Sequence, residues 1–304
     1  MNDQKDDSLD KLLSILSSRL SLLSNYGLAI LKNLGQAGPM ESEHIPVVLS
    51  LRHTMELLEG ISILIGNQLA DPALLLLRGM FESVIQTLFI LAKNTKNRGL
   101  SFLYFDLLNN IGWHEKSDPS SQKGKEFIAW MKKDTYLNSI KFSKPPDFDV
   151  RLSTLISQKN IPEYSKVHAE YEKQKLSGNK VKNWFSLFSG YQSIEQVAAD
   201  IGLGGTYQIF YRHLSESVHG TGIVRGKFLA EGGKGAIMDI RAPHNIQYVV
   251  STSISVSFQL LKKIIEVMCP EKVQEFRDFY IREIREVYLR ASEANYIEII
   301  NETV

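Results

Sequence analysis

Residues 205–222 read GTYQIFYRHLSESVHGTG, and their pattern predicts the helix around which the rest of the chain is organised. Apolar side chains recur in this stretch at steps of three and four residues, which is the period of a helix that buries one face. These side chains are Tyr207, Phe210, Tyr211, Leu214 and Val218. The stretch therefore predicts an amphipathic helix with one face in a protein core.

A polar stripe runs beside that face at the same helical spacing. It consists of Gln208, Arg212, Ser215 and His219. Arg212 and His219 are seven residues apart, which on a helix places them on one line, about 10 Å from each other. Gly220 and Gly222 are expected to end the helix, so His219 would lie in its last turn, where the helix dipole favours a protonated imidazole.

An arginine and a histidine on one ridge are suited to handling a phosphodiester. Arginine offers a forked, permanently charged donor to phosphate oxygens, and histidine donates or accepts a proton near neutral pH. The same spacing also occurs on the solvated edges of helices, because arginine is usually exposed. The stripe is therefore interpreted either as a phosphate-binding ridge or as a solvent-facing edge beside a core face.

The segment also carries a family resemblance. Arg212, six intervening residues and His219, on a predicted helix in a mostly helical chain, resemble the Arg-(four to six residues)-His signature of the HEPN superfamily of helical ribonucleases. His213 stands directly after the arginine, where HEPN helices often have a polar residue. The string YRHLSESVHG at 211–220 also resembles a bacterial helical family of unknown function, in which an earlier helix carries Arg and Glu.

The HEPN resemblance implies a metal-independent endoribonuclease without a cofactor. His219 would be the acid or base, Arg212 would bind the scissile phosphate, and cleavage would leave a 2',3'-cyclic phosphate. The supporting residues would be Tyr211, Ser215, Arg78 and Glu82. Such enzymes are typically toxins or antiphage effectors that act on RNA as homodimers, in some cases restrained by a neutralising partner protein. The alternative is a non-catalytic helical module that binds a protein partner or a nucleotide.

Two charges interrupt the most apolar helix that the sequence predicts, at 73–93. Arg78 and Glu82 stand four residues apart, on one face of that helix. Charges in an apolar helix are costly unless they are paired. We therefore expect them to face each other, the Arg212 stripe or a ligand, either as a structural salt bridge or with Glu82 orienting a catalytic residue.

Composition restricts the possible locations of a nucleic-acid site. The chain has 304 residues, 43% of them hydrophobic, and a net charge of +1, so a polyanion site must be local rather than global.

The polar, acidic start at 1–11 does not resemble a signal peptide. The apolar segment 74–91 contains Arg78, Glu82 and Gln86 and is expected to be a core helix rather than a membrane span. The single cysteine, Cys269, is expected to be buried, and a cytoplasmic location is the simplest expectation.

The pattern along the chain predicts an all-α helical bundle with a HEPN-like core. Its two halves are expected at 1–113, with helices at 8–34, 41–70 and 73–93, and at 191–304. Residues 114–190 are expected to form an irregular insertion with short helices near 126–133 and 163–175. This insertion has 14 Lys and Arg against 9 Asp and Glu. Its aromatic residues include Phe127, Trp130, Tyr136, Phe142, Trp184 and Phe185. They are expected either to anchor the insertion or, together with the lysines, to stack bases.

Signals in the second half of the chain predict the remaining elements. Ser193 and Gln196 fit a capping box that opens a short helix ending near residue 201. Residues 224–229 and 236–240 are expected to form either a short β-hairpin around a glycine-rich turn or a flexible loop. Asn245 is expected to cap a helix at 246–268, and a charged helix is expected at 271–298. No cluster of His, Asp or Glu residues in the sequence has the spacing that is typical of metal ligands.

Overall fold

The computed structural model describes residues 3–178, 181–211, 214, 228–231, 234–237, 239–241 and 243–293. These residues are mostly helical, which confirms the predicted all-α class. They divide into two compact units, one made of Met1–Lys93 with Ser193–Val304 and the other of Asn94–Gln192. The boundary expected at residue 113 falls within a helix, so the second unit begins earlier along the chain than the insertion expected from composition.

The helices are numbered in chain order. They are α1 (Asp3–Gln36), α2 (Ile45–Gly66), α3 (Ala70–Ala92), α4 (Thr95–Lys116), α5 (Gln122–Met131), α6 (Phe148–Lys159), α7 (Ser165–Leu176), α8 (Ser186–Ser189), α9 (Ile194–Asp200), α10 (Gly204–Thr206), α11 (Ile246–Met268), α12 (Val273–Phe279) and α13 (Arg285–Ser292). Short 3₁₀ turns precede α2, α7 and α12, at Ser42–His44, Pro162–Tyr164 and Pro270–Lys272. Two π-helical turns occur, at Tyr207–Tyr211 and Tyr280–Ile284.

The core of the first unit lies between α1, α2, α3 and α11, which pack against one another. Their apolar faces supply side chains with no exposed surface. Among these are Leu20, Leu51, Leu77, Phe89 and Leu260. By length and composition, α3 is apolar enough to cross a membrane, and 56% of its most apolar window is buried inside the protein. Its contacts with α2 and α11 place it at the centre of the bundle.

The turn between α2 and α3 differs from the sequence prediction. The helices expected at 41–70 and 73–93 leave Asp71 and Pro72 between them as a turn, but both residues lie in the first turn of α3, and the chain reverses at residues 67–69. Gln68 adopts a left-handed backbone there, with φ of 60°. The reason is that the first N–H groups of a helix have no intrahelical partner, so a proline costs little in the first turn.

The hairpin is present, and so is the Ser193 half of the predicted capping box. β1 (Phe228–Glu231) pairs antiparallel with β2 (Lys234–Ile237), with Glu231 opposite Lys234. The strands lie nearer to each other in sequence than expected, which agrees with the two-residue loops that hairpins favour. The Ser193 side chain accepts a hydrogen bond from the backbone N–H of Gln196 at 3.3 Å and caps α9.

The prediction that the Asn245 side chain caps α11 is wrong, although the predicted bounds of the helix are confirmed. Asn245 makes no side-chain capping hydrogen bond. Its backbone is left-handed, with φ of 64°, a conformation that asparagine tolerates better than most residues. Further along, the long charged helix expected from residue 271 is instead divided between α12, a π turn and α13. Cys269 is buried, as predicted.

The second unit has a core of its own between α4, α7 and α8. Leu100, Tyr104, Val167 and Leu187 form its buried centre. The Tyr104 hydroxyl forms a hydrogen bond of 2.6 Å with His168 Nδ1. α5 and α7 correspond to the two short helices expected here, whereas α6 was not expected. Apart from Phe148, its apolar residues are half-buried or exposed, Val150 by 69%, so its sequence lacks the strong two-faced pattern that marks a helix.

Gly27 allows α1 to approach α2 closely. A Cβ atom at Gly27 would lie 2.1 Å from the Sδ atom of Met55, whereas one at Gly35, later in the same helix, would meet no atom within 4 Å. Gly27→Ala should lower the free energy of unfolding by about 1 to 2 kcal/mol through overpacking. Gly35→Ala should instead raise it by up to about 1 kcal/mol, because alanine favours the helix. Urea unfolding measures both, and equal effects would show that Met55 repacks freely.

Tyr26 should make the fold sensitive to alkaline pH. Its ring stacks on Phe279 with centroids 4.2 Å apart, and its buried hydroxyl has no hydrogen-bond partner among the described residues. Burial, together with the charge of Glu275, raises the pKa of Tyr26 to about 12. The folded pKa exceeds the unfolded value of about 10. The contribution of Tyr26 to stability is therefore complete below pH 10 and is lost as the pH rises toward 12.

Tyr26→Phe should accordingly reduce the loss of stability between about pH 10 and pH 12 and should cost little at neutral pH. Urea unfolding at several pH values measures this. Tyr136→Phe is the control, because Tyr136 is 89% exposed. A variant whose stability falls with pH as steeply as that of the wild type would contradict the assignment.

Candidate functional site

The two charges inside α3 are paired, as predicted. Arg78 Nη2 lies 3.5 Å from Glu82 Oε1, one helical turn away. The side chains are 18% and 35% exposed, respectively. The pair is thus partly buried. At such a position salt screens an ion pair less than it does at an open surface.

Tyr211 connects this pair to the stretch that carries the predicted site. Its hydroxyl accepts a hydrogen bond from Arg78 Nη2 at 2.9 Å and donates one to Glu82 Oε1 at 2.5 Å. The Arg78 guanidinium carbon also lies 4.9 Å from the centre of the Tyr211 ring. We call Arg78, Glu82 and Tyr211 the α3 triad. It joins Tyr211 to two residues of α3 that lie 129 and 133 positions earlier in the sequence.

A π-helical turn, Tyr207–Tyr211, positions Tyr211 beside Arg78 and Glu82. It continues α10 and ends on Tyr211 itself. The ring of Tyr207 is buried and stacks on the Tyr211 ring, with centroids 4.5 Å apart and planes 16° from parallel. Single π turns are rare and are often found at functional sites. This turn therefore marks the start of the predicted motif as an irregular, specifically packed segment.

The triad holds a cation and a neutral phenol at neutral pH. The hydrogen bond with Tyr211 raises the pKa of Arg78, and the nearby Glu82 charge adds to this effect. Burial raises the pKa of Tyr211, and its hydrogen bond to Glu82 raises it further. The Arg78 Nε–H group is buried and has no hydrogen-bond partner within the described part of the chain. The guanidinium thus has donor capacity that the triad does not use.

The remaining predicted site residues lie outside the described residues. They are Arg212, Ser215 and His219, and the same holds for His213, Val218, Gly220 and Gly222. Of the apolar face, Tyr207 and Leu214 are buried as predicted, while Phe210 and Tyr211 are half-buried.

The charged residues described on α2 have partners outside the triad. Arg52 and Glu56 form an exposed pair on α2, with Nη2 and Oε1 2.8 Å apart. Glu59 accepts a hydrogen bond from Ser21 on α1 at 2.9 Å. Gln208, on the predicted polar stripe, is exposed and hydrogen-bonds to Glu195 on α9. No group of three His, Cys, Asp or Glu side chains that could hold a metal ion occurs in the part of the chain that the structure describes.

A polar cleft of about 540 Å³ opens beside Phe210, the neighbour of Tyr211 in the π turn. α11 contributes amide and hydroxyl groups to its lining, and α13 contributes further lining residues. Its lining includes Thr206, Asn245, Tyr248, Ser251, Gln259 and Tyr288. Sequence reasoning considered Asn245 only as a helix cap and missed this cleft, because the residues that line it are far apart in the chain.

Residues 44–235 match the profile of a family of unknown function, DUF5677, and this is more than half of the chain. The chain belongs to this family. Neither the curated proteins nor the solved structures include a match to it. The matched region of this DUF5677 protein contains all three triad residues and the complete Arg212–His219 spacing.

Proposed function

We propose that this DUF5677 protein is a metal-independent endoribonuclease of the HEPN type. The observation that carries the proposal is the hydrogen bonding of Tyr211 to Arg78 and Glu82 on the central helix. Tyr211 directly precedes Arg212 in the sequence, so the residue next to the Arg-x6-His motif is held to the core by a charged, partly buried cluster. Catalytic side chains need such support from a rigid element in order to stay in a productive geometry.

In the proposed reaction, His219 removes the proton from a ribose 2'-hydroxyl. The 2'-oxygen then attacks the adjacent phosphorus, and the bond from phosphorus to the 5'-oxygen breaks. The leaving 5'-oxygen takes up a proton from water, and His219 later returns its own proton to the solvent, so the products are a 2',3'-cyclic phosphate and a 5'-hydroxyl. Arg212 neutralises the phosphate charge that builds up in the transition state. Ser215 and the triad support this pair, with Tyr211 as a positioning residue.

The proposal includes a homodimer in the cytoplasm. One Arg and one His about 10 Å apart on a ridge do not surround a phosphodiester. A two-fold axis beside the motif would bring two of each into one cleft, because a symmetric contact places the same patch on both sides. RNA is the proposed substrate. A toxin or antiphage effector of this type would be restrained by a neutralising partner protein.

A non-catalytic module is the second candidate, and one observation favours it. Tyr211 hydrogen-bonds to both Arg78 and Glu82, which also form an ion pair, and this arrangement stabilises helix packing without any reaction. The polar cleft beside Phe210 would then bind a nucleotide or a segment of a partner. This candidate differs from the nuclease in one outcome, since it binds its ligand and leaves RNA intact.

A cleavage assay tests the proposal directly. The purified chain is incubated with end-labelled RNA in the presence of excess chelator, and the ends of the products are mapped. We expect cleavage that persists without divalent ions and leaves 2',3'-cyclic phosphate ends. A single 2'-deoxy substitution at a mapped site should block cleavage there, because the nucleophile is missing. Cleavage of that substituted bond, or a requirement for Mg²⁺, would rule out this mechanism.

A further inference from the structure

The second unit exposes large aromatic side chains on neighbouring elements. Trp113 on α4 is 62% exposed, Trp130 on α5 is 74% exposed and Tyr136 after α5 is 89% exposed. In contrast, Trp184 of the same unit is buried, with 9% exposure. Single exposed apolar residues are ordinary, whereas a contiguous exposed group marks an interaction surface.

Ring contacts connect Trp113 to two half-buried phenylalanines of the same unit. The Trp113 ring meets the Phe127 ring edge-on, with centroids 6.3 Å apart, and Phe127 meets Phe142 in the same way at 6.1 Å. Trp130 stands three residues after Phe127 on α5, so the two are neighbours on one helix face. We call Trp113, Phe127, Trp130 and Phe142 the aromatic platform.

Lysines lie directly on the platform. The Lys116 Nζ atom is 3.9 Å from the centre of the Trp113 ring, and the Lys133 Nζ atom is 5.5 Å from that of Trp130. Residues 111–144, which contain the whole platform, hold seven lysines and four Asp or Glu, an excess of three positive charges. A site for a polyanion must be local in a chain of net charge +1, and this segment has the required local sign.

We propose that the aromatic platform and its lysines bind single-stranded RNA. Unpaired bases stack on exposed aromatic rings, and lysines beside the rings contact the backbone phosphates. A duplex hides its bases from such rings, so the surface selects unpaired strands. The choice of RNA over DNA rests on the proposed nuclease function, whereas stacking and charge alone fit either nucleic acid.

Binding is measured separately from cleavage by using the full chain carrying His219→Ala. A labelled uridine oligonucleotide of about 12 nucleotides lies within the range of known single-strand sites. We expect fluorescence anisotropy to show binding that weakens steeply with salt. Trp113→Ala and Trp130→Ala should each weaken binding by roughly tenfold, and the double variant should weaken it more. Lys116→Ala and Lys133→Ala should each make the slope of log affinity against log salt concentration shallower, by the contribution of about one phosphate contact.

Tryptophan fluorescence provides a second readout in the same protein. Stacked bases should quench Trp113 and Trp130, so RNA should quench the parent chain but not the double variant, which retains only the buried Trp184. Lys175→Ala and Leu176→Ala are matched controls, because both residues belong to α7 of the same unit and lie outside the platform. These controls should bind RNA as tightly as the parent chain does.

Three outcomes would overturn the proposal: no oligonucleotide binding at low salt, unchanged binding by the double variant, or equal binding of a duplex. The first would favour a protein partner for the platform. Failure of the nuclease proposal would look different. In that case the wild type would leave RNA intact while the platform variants still lost binding. Cleavage by a wild type whose binding does not depend on either tryptophan would refute the platform alone.

Discussion

Replacing His219 or Arg212 with alanine should each lower RNA cleavage by about 10²-fold or more. Positioned acid or base catalysis contributes roughly 10² to 10⁴-fold to a rate, and a lost charged donor to the transition state costs a comparable factor. Folding should be unaffected, because neither substitution removes an apolar core residue. Cleavage rates under single-turnover conditions with chelator present measure the effect, and circular dichroism checks the fold.

Arg52→Ala and His53→Ala are the matched controls. They remove the same two kinds of side chain from exposed positions on α2, where the Arg52 and His53 side chains are 63% and 56% exposed. Both should cleave RNA at the wild-type rate. If the controls lose as much activity as the motif variants, the effect comes from general charge and not from the motif. Full activity in both motif variants would support the non-catalytic module.

The proposed dimer gives these variants a further use. If a cleft combines residues from two chains, a mixture of His219→Ala and Arg212→Ala chains contains mixed dimers whose shared cleft still lacks one arginine and one histidine. The mixture should therefore remain well below wild-type activity. Light scattering should show that both variants are dimers. Full recovery in the mixture would instead mean that one arginine and one histidine from different chains are enough for a site.

Much of the fold could be predicted from apolar periodicity alone. The long helices α1, α2, α3 and α11 have regular apolar patterns, and their existence and type follow from them. The errors lie where local chemistry is ambiguous. Pro72 suits both a turn and the first turn of a helix, so the sequence alone does not distinguish them. α6 has only a weak apolar face and was missed.

The site was predictable only in part. The pairing of Arg78 with Glu82 followed from their spacing and from the cost of unpaired charge in an apolar helix. The hydroxyl of Tyr211 as their shared partner did not, because regular helical spacing assigned that ring to an apolar face. The π turn at Tyr207–Tyr211 breaks that spacing. The only sequence signal of a stacked pair was the presence of two tyrosines four residues apart, at positions 207 and 211.

The Arg52–Glu56 pair provides the comparison for a second prediction, on stability. It has the same residue types and the same four-residue spacing as Arg78–Glu82, but its side chains are 63% and 52% exposed. Glu56→Ala should change the free energy of unfolding by no more than about 0.5 kcal/mol, since exposed ion pairs contribute little. Any larger effect at Glu82 must then come from partial burial and from the bond with Tyr211, and not from the ion pair as such.

Glu82→Ala should lower the free energy of unfolding by about 2 to 3 kcal/mol, because it leaves Arg78 and the Tyr211 hydroxyl without their shared acceptor. The cost stays below that of a fully buried pair because the Glu82 side chain is 35% exposed. Tyr211→Phe keeps the stack with Tyr207 and should cost about 1.5 to 3 kcal/mol, since its hydroxyl bonds to charged groups. Measured by urea unfolding, the double variant should cost less than the sum of the two, because both changes break the same hydrogen bond. If Tyr211 also positions Arg212, Tyr211→Phe should slow single-turnover cleavage at temperatures where the variant is fully folded, whereas a purely structural tyrosine would leave that rate unchanged.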